Sequence, residues 1–125
     1  MPITLNHTIV PCHDKVASAQ FFARIFRFEY VGEFSHFIAV RVNDTLTLDF
    51  DNSDRFESHH YAFKVSDDEF DEIFARLSAE GVVYGSSPNA TDDMQINHNY
   101  GGRGVYFVDA NGHILEMLTA DYEID

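Results

Sequence analysis

The sequence has a single cysteine, Cys12, among its 125 residues, so no disulfide can form within the chain and a reducing compartment is expected. Basic residues are scarce: 8 Lys and Arg stand against 21 Asp and Glu, which leaves a formal charge of −13. Nucleic acid and anionic membranes both need a basic footprint, so neither is expected as a partner. No run of about 18 consecutive apolar residues occurs, and no membrane-spanning helix is expected. The opening MPITLNHTIV lacks the basic region and long apolar core of a secretory signal, so a cytoplasmic location is expected. No proline- or glycine-rich linker divides the chain, which points to one shared core. What the sequence does have is apolar and aromatic material: 45% apolar residues, with 12 Phe and 6 Tyr. That suffices for a packed core and argues against disorder.

Along the chain the pattern alternates between strand and helix signals. Residues 3–10 are rich in β-branched types and read as a strand. Asp14 then opens a helix in which Val16, Ala19, Phe22, Ala23 and Phe26 recur at helical spacing. Phe28 to Val31 reads as a short strand ending near Gly32, and Phe37 to Val42 and Thr45 to Phe50 as a hairpin around Asn43-Asp44. The second half repeats this order. His59 to Val65 reads as a strand, and Ser66 with Glu69 forms a capping box before a helix that Gly81 ends. Val82 to Tyr84 start another strand, the polar stretch 85–99 is long for a loop, and GRGVYFVD and HILEMLT form a hairpin. Phe22-Ala23-Arg24-Ile25 and Phe74-Ala75-Arg76-Leu77 echo each other late in the two helices. The expectation is an α+β domain over residues 1–125, built from a duplicated βαβββ module, about 1–55 and 56–125.

If the halves are related by a pseudo-twofold, polar residues at matching places form a set. His7 lies in the first strand of half one and His60 in the first strand of half two. Asp49 lies in the last strand of half one and Glu116 in the last strand of half two. Imidazole plus carboxylate suits divalent Fe, Mn, Ni, Co or Zn. Strand alternation puts Thr47, Asp49 and Asp51 opposite Leu46, Leu48 and Phe50, and His60, Ala62 and Lys64 opposite Tyr61, Phe63 and Val65. Glu116 sits among Ile114, Leu115, Met117 and Leu118, where an unpaired carboxylate would be costly and a cation would remove the cost. Asp49 fits either a ligand or a solvated strand face.

At these residues the sequence resembles the vicinal-oxygen-chelate superfamily, which contains glyoxalase I, bleomycin- and fosfomycin-resistance proteins and extradiol dioxygenases. The resemblance rests on LNHTI, HHYAFKV and GVYFVDANGHILEM. In the last segment Ala110 stands where the family usually has proline, and Glu116 keeps its place four residues after Gly112. The resemblance implies two βαβββ modules curling into an open barrel around a metal. It also implies His7, His60 and Glu116 as ligands, Asp49 as a fourth, and a homodimer whose sites draw on both chains. His98 and Tyr106 precede Glu116 at spacings like those of the extradiol dioxygenase motif, which implies Fe(II), His98 as acid/base or as a hydrogen-bond donor to bound oxygen, and Tyr106 as a hydrogen-bond partner of the substrate. His98 as a polar loop residue and Tyr106 as a packing aromatic are the plainer readings. Arg103 could give the small-molecule substrate a local positive group. Dioxygenase chemistry on a metal-chelating, oxygenated substrate is the leading expectation. The alternatives are a glyoxalase-like lyase or isomerase, a thiol transferase, and a non-enzymatic drug- or metabolite-sequestering protein of the bleomycin-resistance type.

Overall fold

The structure, a computed structural model, describes residues 3–123. The chain divides into two compact units between Glu57 and Ser58. The first contains β1 (His7–Cys12), α1 (Lys15–Phe26), β2 (Glu29–Phe34), β3 (Phe37–Arg41) and β4 (Thr47–Asn52). The second contains β5 (His60–Lys64), α2 (Asp67–Ala79), β6 (Tyr84–Gly85), β7 (Gly104–Val108) and β8 (Ile114–Leu118). The sheet orders are β1-β4-β3-β2 and β5-β8-β7-β6. In each, the first strand pairs parallel with the last and the other pairs are antiparallel. The two units therefore share one topology, α+β in class. Among the described residues no helix is long and apolar enough to cross a membrane.

Local chemistry explains the helices. Asp14 Oδ1 accepts hydrogen bonds from the amides of Val16 and Ala17, both at 3.1 Å, and so starts α1. The Ser66 capping box is complete: Glu69 N donates to Ser66 Oγ at 3.1 Å and Ser66 N donates to Glu69 Oε1 at 2.8 Å. Phe22 and Ile25 bury one face of α1, while Phe70, Ile73 and Leu77 bury one face of α2. The echoed tetrapeptides thus place apolar residues at equivalent points of two helices.

Three boundaries differ from the sequence pattern. β1 starts at His7 rather than at residue 3, because its partner β4 begins at Thr47, opposite His7. Ile3 and Leu5 stay exposed ahead of it. β2 runs through Gly32 to Phe34, with a register shift between Tyr30 and Gly32, whose φ of 105° marks a bulge and not a stop. Beyond α2 the ladder holds only Tyr84 and Gly85.

The polar stretch after β6 is an organised loop. Asp93 Oδ1 accepts from Ser86 N at 3.0 Å and from Gln95 N at 2.9 Å, and Ser86 Oγ donates to Asp93 Oδ2. These bonds, the Ser86 hydroxyl foremost, hold the Asp93 carboxyl below the usual carboxylate range. Asn97 closes the loop by exchanging backbone bonds with Gly104 at 2.9 and 3.0 Å. Gly85 is what allows the loop to fold back, since a Cβ there would strike the Ala90 carbonyl and the Thr91 backbone. Gly85→Ala is expected to cost about 1–3 kcal/mol by forcing that backbone apart. Urea denaturation checks it; a cost near zero would mean that the loop moves freely.

Candidate metal centre

In the second unit, β5 and β8 bring two predicted residues together. His60 Nε2 and Glu116 Oε1 lie 2.8 Å apart. Leu115 and Met117 are fully buried, so Glu116 between them points to the opposite face of β8, which leaves its side chain 13% exposed. His60 shares that face of the sheet. Tyr106 on β7 is directly opposite Glu116 and hydrogen-bonds to its carboxylate. Burial first, then the charge and the hydrogen bond of Glu116, then Tyr100 push the Tyr106 phenol up to about 12. Tyr106 is therefore a neutral donor at physiological pH.

That shift carries a prediction. The native state keeps the phenolic proton between pH 10, the ordinary value, and about 12, whereas the unfolded chain releases it. The stabilisation is present below pH 10 and is lost as pH rises to about 12. Tyr106→Phe is expected to flatten the pH dependence of urea stability over that window; an unchanged slope would remove the link.

These groups line a cavity of about 350 Å³ together with Asn97, Tyr100 and Tyr122. Arg103 is also on the wall, but its guanidinium is engaged. Nη1 donates to Asp71 Oδ1 at 2.7 Å, Nη2 to Asp67 Oδ1 at 3.1 Å, and the group lies 4.4 Å from the centre of the Phe70 ring. The Asp71 hydrogen bond is the main reason that its pKa is raised. His98 is exposed and off the cavity wall, although Asn97 and Asn99 beside it are on the wall.

The first unit has a cavity of about 380 Å³ lined by His7, Asp49, Arg41, Thr47, Val31 and Phe34. Asp49 is 5% exposed. His7 is exposed, and its Nδ1 is 2.7 Å from Asn6 Oδ1. With that oxygen accepting, the proton is on Nδ1 and the Nε2 lone pair is left for another partner. The two sheets match in register. Glu116 faces Ala62, two residues beyond His60, and Asp49 faces Ile9, two residues beyond His7. The residue antiparallel to Glu116 is Tyr106, and that antiparallel to Asp49 is Ala39. Among the described residues no group of three or more His, Cys, Asp or Glu side chains forms a metal site.

Sequence reasoning missed Asn97, Tyr100 and Tyr122, because no periodicity marks a loop or tail residue as wall-forming. It also missed His113, which is fully buried and accepts the His59 amide at 2.9 Å, fixing the start of β5 just before His60. Its position directly after the Asp109–Gly112 turn was the available signal.

No protein-family model and no curated protein matches the sequence. Solved structures do. The chain is 46% identical to oxidase ChaP-H2 over 98% of its own length and 97% of that chain, with a TM-score of 0.92. Oxidase ChaP-H1 is 42% identical over 98% and 100% of the two chains, also at 0.92. The fosfomycin resistance protein FosX from Listeria monocytogenes shares the fold at 23% identity and a TM-score of 0.69, with 100% and 97% covered. The chain belongs to the family of the ChaP-H1 and ChaP-H2 oxidases, and it has the fold of the fosfomycin resistance protein. In this member of the ChaP-type oxidase family the sheet topology is repeated in the two units, and the His60–Glu116 pair lies on the face of the second sheet that lines the cavity.

Proposed function

We propose that the protein is a divalent-metal-dependent oxidase of the dioxygenase type, acting on a small molecule that grips the metal through adjacent oxygens. The observation that carries this reading is the His60–Glu116 pair on a cavity wall. Two metal bonds of about 2.1 Å at a right angle put their donor atoms about 3 Å apart, close to the 2.8 Å between His60 Nε2 and Glu116 Oε1. The donor set therefore fits a cation. The 46% identity to a protein named an oxidase supports redox chemistry over a binding role.

In this reading His60, Glu116 and His7 hold the metal. His7 comes from a second copy of the chain in a homodimer, and Asp49 is a fourth donor. Bound Fe(II), favoured over Mn, Ni, Co or Zn, would polarise the substrate oxygens and supply electrons for O₂. The chain's own residues do the rest. Tyr106 donates a hydrogen bond to Glu116 and holds that carboxylate in one orientation. Asn6 keeps the His7 proton on Nδ1, so that Nε2 stays basic. No step is assigned to His98, and Arg103 holds α2 through its two carboxylates.

Anaerobic reconstitution with Fe(II), followed by O₂-electrode measurements with catechols and hydroxyquinones, tests the proposal. Metal-dependent O₂ consumption with at least one compound is expected. Full metal uptake with no O₂ consumption across the panel would overturn the oxidase reading.

A further inference from the structure

His113 is a polar side chain in a core position. It shares a face with Leu115 and Met117, all three fully buried, while Glu116 turns to the opposite, cavity-lining face. A buried imidazole is costly unless its nitrogens are used. Nδ1 accepts the His59 amide at 2.9 Å, so the proton of the ring is on Nε2. That amide stands one residue ahead of the β5–β8 ladder, which opens with His60 opposite Ile114.

The bond belongs to a small clamp. The Ser58 hydroxyl donates to the Gly112 carbonyl at 2.6 Å, and the Ile114 amide donates to the His59 carbonyl at 2.9 Å. On the β8 side, Asp109 Oδ1 accepts the His113 amide at 2.9 Å, and the His113 carbonyl accepts the Asp109 amide at 3.0 Å. The turn between β7 and β8 therefore fixes His113 from its own backbone. The ring then supports β5 on both sides of His60. Its centre lies 5.3 Å from that of His59 and 5.6 Å from that of Tyr61, which it meets at 88°. His59 Nδ1 and the Tyr61 hydroxyl are 2.8 Å apart. Both chain neighbours of His60 thus rest on one buried imidazole, three residues ahead of Glu116. Donor atoms that share a cation hold their distances to about ±0.2 Å, so a small slip of β5 along β8 would spoil the pair.

We infer that His113 is a positioning residue for the His60–Glu116 pair. Through the His59 amide it sets β5 against β8, and with it the 2.8 Å between His60 Nε2 and Glu116 Oε1. The inference rests on the metal-site reading for the use made of that spacing. The spacing itself belongs to the two strands and their clamp.

His113→Leu and His113→Met keep the core filled and remove the acceptor, and a failure of one to fold leaves the other. His113→Asn offers Oδ1 near the place of Nδ1. Each protein is titrated with Zn(II) by calorimetry. Its metal-free form is followed by NMR for hydrogen exchange of the His59 amide and for the contact between the His60 and Tyr106 rings, whose centres lie 5.7 Å apart. The Leu and Met proteins are expected to exchange the His59 amide about 10-fold faster and to weaken the ring contact. Their Zn(II) affinity should fall about 10-fold, the low end of what loss of an outer partner costs. The Asn protein should recover protection, ring contact and most of the affinity together. Affinity and ring contact that follow His59 protection across the series support the inference, whatever order urea stability takes. Affinity that follows urea stability instead would show a merely structural histidine and overturn it. A His59 amide that stays protected in the Leu and Met proteins would overturn it as well. Wild-type protein that takes up no Zn(II) contradicts the metal site, while the metal-free ring contact still decides the role of His113.

Discussion

Glu116→Ala is expected to weaken divalent-metal binding by at least about 100-fold, more than the roughly 10- to 100-fold that loss of an outer hydrogen-bond partner costs. The substitution leaves the ladder alone, because the β8 backbone still pairs with Ala62 on one side and Tyr106 on the other. What disappears is the carboxylate 2.8 Å from His60 Nε2. Linkage gives a second readout. A cation at 100 times its dissociation constant stabilises the wild-type fold by about 2.7 kcal/mol, so added metal should raise the wild-type melting temperature and leave the variant almost unmoved. Glu116→Gln keeps an oxygen for Tyr106 but loses the charge, and should fall between the two. Calorimetric titration with Zn(II) or Mn(II) checks the series. Equal affinity in wild-type and alanine proteins would place the metal elsewhere.

Phe22→Ala is expected to cost about 3–5 kcal/mol, a large part of the stability of a small domain. Phe22 is wholly buried on α1, with its ring 4.9 Å from that of Phe50 at 72° and 6.1 Å from that of Phe26. Phe50 follows Asp49 along β4, and their side chains leave the strand on opposite faces. The cavity left by Phe22 would loosen the strand that carries Asp49. Urea titration measures the loss, and a cost under about 1 kcal/mol would show that the first unit repacks around the gap.

The architecture was readable where local rules and burial agree. Phe22 and Ile25 in α1, and Phe70, Ile73 and Leu77 in α2, repeat at helical spacing because one face of each helix is buried. The Ser66 capping box forms as its residue types dictate. Alternation also chose His60 over His59: Tyr61 and Phe63 are partly buried while His60 and Ala62 are exposed. Strand ends were less legible, since a strand extends only as far as its partner does. Ile3 and Leu5 have strand-forming character, but β4 starts opposite His7. Gly32 looks like a terminator, yet it absorbs a bulge within β2.

The site was legible in part for the same reason. Residues fixed by strand parity and by the duplication could be named, and His60 and Glu116 do meet. Residues placed by loop closure could not. Arg103 reads as a free cation until α2 brings Asp67 and Asp71 to it. Tyr100 depends on a left-handed turn next to Gly101, and Tyr122 on the tail that follows β8.

Crystals grown with Fe(II) under anaerobic conditions, with diffraction data collected at the iron absorption edge, would locate the cation directly. An anomalous peak within bonding distance of both His60 Nε2 and Glu116 Oε1, completed by a His7 imidazole, is the predicted result. Stoichiometric iron whose peak lies away from those two atoms would contradict the account.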